Sequence, residues 1–285
     1  MPHETFNNRN FDEEFKLVEV LVKKFRPCEK PEYIMDFIKL STDDLHVSKL
    51  CYRKGYYAIS VYHLQQAVEK SVKAYGLLTG IITIDDLNKF VKHDSPKIFL
   101  KLIKDHWEHI ASFLDPKVLG PIGGTNFFAP LKEITQPSSK EEIANYTKKE
   151  IANLVKACDE IAQTLKQQGV IEAITSILGI LNDSFGEQPS SKLNTLTTIL
   201  IELVPLLYVT SIVTFPHVSS TRYPNSKPLN PKLYQKGLGI VDSLEILYPK
   251  IEEINSLLRR LYSMKWGTKQ IVTNVQEDPR SEEST

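Results

Sequence analysis

The amino-acid sequence predicts an all-α fold, and three observations carry that prediction. Apolar residues recur at helical spacing along most of the chain. No run of alternating residues lies between paired turn signals, and the periodic segments are bounded by N-cap residues, N1 prolines and stop glycines.

The elements follow in chain order. Phe11, Phe15, Val18, Val22 and Phe25 predict a helix after Asn10, stopped by Pro27, and a second short helix is expected from Pro31 to Leu40. Ser41 and Thr42 precede Asp43 and Asp44, a helix-start pattern, so a new helix is expected toward Arg53, where Gly55 interrupts. From Tyr56 to about Leu78, Tyr57, Val61, Leu64, Val68 and Tyr75 line one stripe, with Gly80 as the stop. Ser95 before Pro96 opens a helix to about Phe113, followed by an irregular connection rich in proline and glycine. Ser139 and Glu142 form a capping-box pattern, and Ile151, Leu154, Cys158, Ile161 and Leu165 extend one long helix to Gly169. Two strongly apolar helices are expected over 170–182 and 191–213. Asn230 and Pro231 are expected to open the last long helix, running to about Met264, before a polar tail.

Composition narrows the function. Hydrophobic residues at 41% and charged residues at 25% fit a folded globular chain rather than a disordered or fibrous one. Thirty-five Lys plus Arg balance thirty-five Asp plus Glu, so any basic site has to be local. Cys28, Cys51 and Cys158 lack the paired spacing of a zinc site or disulfide framework, and the N-terminus lacks a signal-like apolar run, so a cytoplasmic location is expected. The apolar stretch from Leu193 to Phe215 carries Glu202 and Pro205 near its middle, which favours a kinked core helix over a membrane span.

The most specific pattern lies on the helix after Gly55. Gln65, Gln66, Ala67, Glu69, Lys70 and Lys73 form a Gln-Gln-Ala-x-Glu-Lys-x-x-Lys run, His93 and Asp94 stand near the next helix start, and Thr221, Arg222, Tyr223 and Pro224 form a turn far downstream. In that order these pieces resemble the HEPN domain family, named for higher eukaryotes and prokaryotes nucleotide-binding. The resemblance implies an antiparallel helical bundle over residues 41–265, elaborated by a helical extension over 1–40 and by inserted helices over about 114–190. Residues 266–285 are expected to be a disordered polar tail.

The resemblance also implies a site. Gln66, Lys70, Lys73, His93, Arg222 and Tyr223 become candidates for nucleotide binding, with His93 and Arg222 as candidate catalytic residues. Helical geometry places Gln66, Glu69, Lys70 and Lys73 on one polar stripe opposite the core. There the lysines would neutralise phosphate and Gln66 would reach a base or sugar; equally, Glu69 and Lys73 would form an ordinary i,i+4 pair on a wet face. His93 with Asp94 serves either proton transfer or the capping of a helix start. Arg222 and Tyr223 suit phosphate binding and base stacking, or a salt bridge that closes the bundle.

Members of the family that cut RNA carry an Arg-x4-6-His motif. No arginine of this chain, from Arg9 to Arg280, has a histidine five to seven positions later, although His217 precedes Arg222 by five. The expected function is therefore nucleotide or RNA binding without efficient cleavage, in stress response, defence or a toxin-antitoxin type system. The alternatives are a metal-independent RNase with a rearranged His/Arg site and a non-catalytic protein-interaction module. His106 and His109 lack a third ligand, and the loop over 120–125 lacks a Gly-Lys-Ser/Thr, so neither metal nor cofactor is expected. A homodimer is expected, as is a nucleotidyltransferase partner protein.

Overall fold

A computed structural model describes residues 28, 30–87, 139–166, 190–223 and 229–266. Among the described residues every regular element is helical, so the fold class is all-α as the periodicity predicts. The helices expected over 11–25, from Ser95 and over 170–182 lie outside the described residues. So do His93, Asp94, His106, His109, Pro224, the loop over 120–125 and the polar tail.

Helix α1 spans Glu32–Arg53 and α2 spans Tyr57–Thr79. Gly55 between them takes φ 79°, and Gly80 ends α2 with φ 73°, a left-handed conformation that glycine adopts without steric cost. The two helices form an antiparallel hairpin. Two single-turn or short helices follow, α3 at Ile84–Asp86 and α4 at Lys140–Ala144, then α5 at Lys148–Leu165, α6 at Ser190–Thr214 and α7 at His217–Ser220. A 3-10 turn at Pro231–Leu233 leads to α8 at Gly239–Asp242 and α9 at Leu244–Trp266.

Helices α6 and α9 pack on the α1–α2 hairpin, and α5 packs on α6 and α8. Ile34 and Ile38 of α1, Leu64 and Val72 of α2, Leu203 and Leu207 of α6, and Leu247, Ile251 and Leu258 of α9 are all fully buried there. At ~25 cal/mol per Å² such side chains contribute about 1.5–3 kcal/mol each relative to an exposed position. No described helix is long and apolar enough to cross a membrane. In α6, Glu202 pairs with Lys166, and Pro205 lies inside the helix as the kinked-core reading expects.

Three boundaries differ from expectation, each for a local reason. Ser41 and Thr42 do not start a helix, because α1 runs through them. The Ser41 hydroxyl is held by Ser71 at 2.8 Å and by Asn255, and Thr42 Oγ1 donates back to the Ile38 carbonyl at 2.9 Å. Polar side chains satisfied inside the bundle leave nothing to cap. Ser139 does cap a helix, accepting from the Glu142 amide at 3.1 Å, but that helix stops at Ala144. Thr147 and Glu150 then make a second reciprocal cap, Glu150 Oε2 accepting from the Thr147 amide at 2.6 Å, which starts α5. Asn230 caps only the 3-10 turn, where its side chain accepts from the Lys232 amide at 3.0 Å. Gly237, with φ 96°, turns the chain before α8.

Gly239 lies against the backbone of Tyr146, where an added Cβ would fall 1.7 Å from the carbonyl oxygen. Gly239→Ala is expected to cost about 3 kcal/mol or more, because backbone rather than a flexible side chain would have to move. Gly55→Ala meets no neighbour within 4 Å and is expected to cost only about 1–2 kcal/mol, from the left-handed backbone alone. Urea midpoints of the two variants measure the difference.

Candidate functional site

The α1–α2 register sets the site. Ser48 donates to the Ser60 carbonyl at 2.7 Å, and Ser60 returns a hydrogen bond to the Ser48 carbonyl at 2.9 Å. With Ser41 against Ser71 further along, the register places Asp44 opposite the face of α2 that carries His63 and Lys70. His63 Nδ1 lies 2.8 Å from Asp44 Oδ1, and Lys70 Nζ bonds to Oδ2. Burial alone would raise the Asp44 pKa. Hydrogen bonds from His63 and Lys70, with the charge of the Lys70 ammonium, outweigh it and hold the carboxyl below its ordinary value.

One turn along, Glu69 is not on a wet face. It is 2% exposed, and its neighbour Gln65 is equally buried. Glu69 accepts from Gln65 Nε2 at 3.0 Å, from Gln66 Nε2 at 3.4 Å and from Lys73 Nζ at 2.6 Å. Gln66 also donates to Gln65 Oε1 at 2.6 Å. The expected open polar stripe is therefore a half-buried network in which Gln66, Lys70 and Lys73 each have a protein partner. The i,i+4 pair of Glu69 and Lys73 exists, but sheltered, where a surface pair would be worth only about 0.2–0.5 kcal/mol.

Arg222 arrives from the other side of the chain. Its amide and that of Tyr223 bond to the Ser219 carbonyl, which fixes the turn after α7, and α7 packs on α2. The guanidinium carbon sits 4.5 Å from the centre of the Tyr62 ring, a cation–π contact. Its Nε is buried without a hydrogen-bond partner among the described residues. Among the described residues Arg222 thus meets an aromatic face rather than a carboxylate. Tyr62 in turn meets the His63 ring edge-on at 5.0 Å, so arginine, tyrosine, histidine and aspartate form one continuous chain of contacts. Tyr223 is 60% exposed beside them.

The structure therefore brings Gln66, Lys70, Lys73 and Arg222 to one helix, α2. Reading the sequence missed Tyr62, His63 and Asp44. His63 lies one and two turns before Gln66 and Lys70 on the same side, a spacing that could have found it. The reversed pair His217 and Arg222 does not form a site: His217 is buried with Nδ1 2.7 Å from the Tyr234 hydroxyl, and burial pushes its pKa down to about 3. It anchors α7 instead. Elsewhere, a cleft of about 230 Å³ between α5, α6 and α9 is lined by Cys158, Asp159, Lys166, Glu202 and Glu253. Its charges are already matched, Lys166 to Glu202 and Lys250 to Asp159 and Glu253.

The hairpin thus carries glutamine and lysine on one helix, with an arginine from a remote turn resting against it, in an all-α fold. A family model described as HEPN domain matches residues 34–168, just under half of the chain. The chain is 37% identical over 92 residues to a protein of Methanocaldococcus jannaschii named "Putative toxin", which covers 30% of this chain and 56% of that protein. This chain thus spans little more than half the length of that relative. No solved structure matches it significantly.

The buried imidazole makes stability depend on pH. The unfolded chain takes up a proton near the ordinary histidine value of about 6.5, whereas folded His217 resists protonation until about 3. Stability contributed by the neutral ring is complete above the unfolded value and falls as pH drops below it, by about 1.4 kcal/mol per unit. Between about pH 7 and pH 4.5 the protein is expected to lose about 2–3 kcal/mol more than His217→Gln, read from urea titrations at each pH.

Proposed function

We propose that the α2 face binds the phosphate of a nucleotide or RNA, without efficient cleavage, and that the protein acts in a toxin-antitoxin or related defence setting. The observation that carries this reading is Arg222. Lys70 and Lys73 already hold carboxylates, but Arg222 rests on a ring with a buried Nε that no described residue satisfies. Leaving a guanidinium N–H unpaired is costly, and a phosphate oxygen is the acceptor whose geometry suits it. Tyr62 orients the fork, and exposed Tyr223 offers a stacking surface for a base. The name of the archaeal relative supports the toxin setting.

Fluorescence anisotropy with a rhodamine-labelled single-stranded oligoribonucleotide tests the binding. Affinity is expected to fall as salt rises, and Arg222→Ala is expected to weaken it and reduce the salt slope by about one. RNA incubated with the protein and EDTA is expected to stay intact. A second reading, cleavage at a rearranged site, is favoured by one observation, the His63–Asp44 pair adjoining Tyr62. EDTA-insensitive cleavage lost in His63→Gln would establish it.

A homodimer accords with Tyr33, Leu40 and Leu50, exposed apolar side chains on α1. Light scattering at micromolar concentration is expected to give about twice the chain mass of 32.5 kDa, and a concentration-independent mass near 32.5 kDa would exclude the dimer.

A further inference from the structure

Asp44 is the group that the phosphate-binding reading leaves unexplained. A carboxylate beside a phosphate site repels its ligand, yet this one is half-buried, held below its ordinary pKa, and bonded at once to His63 on one oxygen and Lys70 on the other. With a neutral imidazole the three groups sum to no net charge. A protonated imidazole leaves the cluster with one positive charge, and its repulsion of the ammonium favours turning Lys70 outward.

We propose that Asp44 and His63 form a proton-controlled latch on Lys70, so that the α2 face binds polyanionic phosphodiester more tightly when His63 is protonated. This rests on the phosphate-binding reading of the same face and adds its regulation. The groups that bear on His63 are Asp44 from α1, Tyr62 and Lys70 from its own helix, and Arg222, which reaches it through the Tyr62 ring from the turn after α7. Imidazole is the side chain whose charge ordinarily changes between pH 5 and 8, while the carboxylate, ammonium and guanidinium keep theirs. Lys73 is held by Glu69 at 2.6 Å, apart from the Asp44 cluster. Proton uptake and anion binding are then linked: each favours the other by the same factor. The side-chain exposure of His63, 24%, leaves the ring open to solvent protons.

The test uses the full chain and the rhodamine-labelled oligoribonucleotide, whose phosphodiesters keep one charge each across the range, at constant ionic strength from pH 8 to pH 6. Wild-type affinity is expected to rise roughly fivefold or more as pH falls. His63→Gln is expected to keep the weaker affinity of pH 8 throughout. Asp44→Asn is expected to bind at pH 8 at least as tightly as the wild type does at pH 6, with little response to pH, because Lys70 is free at both. Arg222→Ala is expected to weaken binding at every pH while keeping the ratio. Circular dichroism melts confirm that each variant is folded, and His63→Gln carries the test if Asp44→Asn does not fold. A wild-type response that survives in His63→Gln, or a flat wild-type response with binding intact, overturns the latch and leaves the phosphate reading standing. Absence of binding at pH 6 as well as pH 8 overturns both.

Discussion

Everything in the site depends on how closely α1 approaches α2, and serine hydroxyls set that distance. Ser41 and Ser71, then Ser48 and Ser60, face one another in the buried seam, where side chains this small let two helix backbones come together. Each hydroxyl would be expensive if left unpaired. Asn255 and Tyr248 of α9 complete the pairing, the first bonding Ser41 and Ser71, the second Ser48 and Ser60. A hydrocarbon seam tolerates a slip between helices, whereas this one has a single register in which all six polar side chains are satisfied. That register puts Asp44 against His63 and Lys70.

Charge is then distributed within narrow limits. The chain carries no net charge, and locally the described lysines of α2 follow the same rule, each with a carboxylate of its own. Arg222 departs from it. An ammonium is strongly hydrated and readily finds a carboxylate, but a planar guanidinium can rest on a ring and leave its edge for a second partner. Its place over Tyr62 is set by α7, held in turn by the buried contact between His217 and Tyr234. A histidine read as a possible reagent thus serves as an anchor for the arginine beside it.

Much of this was legible in the sequence where the signal is local. The stripe from Tyr57 to Leu78 with Gly80 after it marks α2 almost to the residue, and the apolar run through Glu202 and Pro205 marks α6. Local signals also misled. Ser41 and Thr42 resemble a cap only until Ser71 and Asn255, 30 and 214 residues away, are known to occupy them. The break before α5 was readable in Thr147 and Glu150 but was overshadowed by the stronger cap at Ser139. The motif nominates Gln66, Lys70, Lys73 and Arg222 as candidates, while the groups they meet, Asp44, Glu69 as a buried group and Tyr62, emerge only from packing.

The separation along the chain of the site's components has a consequence for assembly. Asp44, His63 and Lys70 lie within one hairpin, so the loop that must close to join them is short and its entropic cost small. Arg222 and Tyr62 are 160 residues apart, and their contact waits on the docking of α6 and α7 against α2. Contacts of that sequence separation form slowly relative to hairpin contacts. The cluster of aspartate, histidine and lysine is thus local to one hairpin, whereas the arginine contact depends on the packing of distant segments.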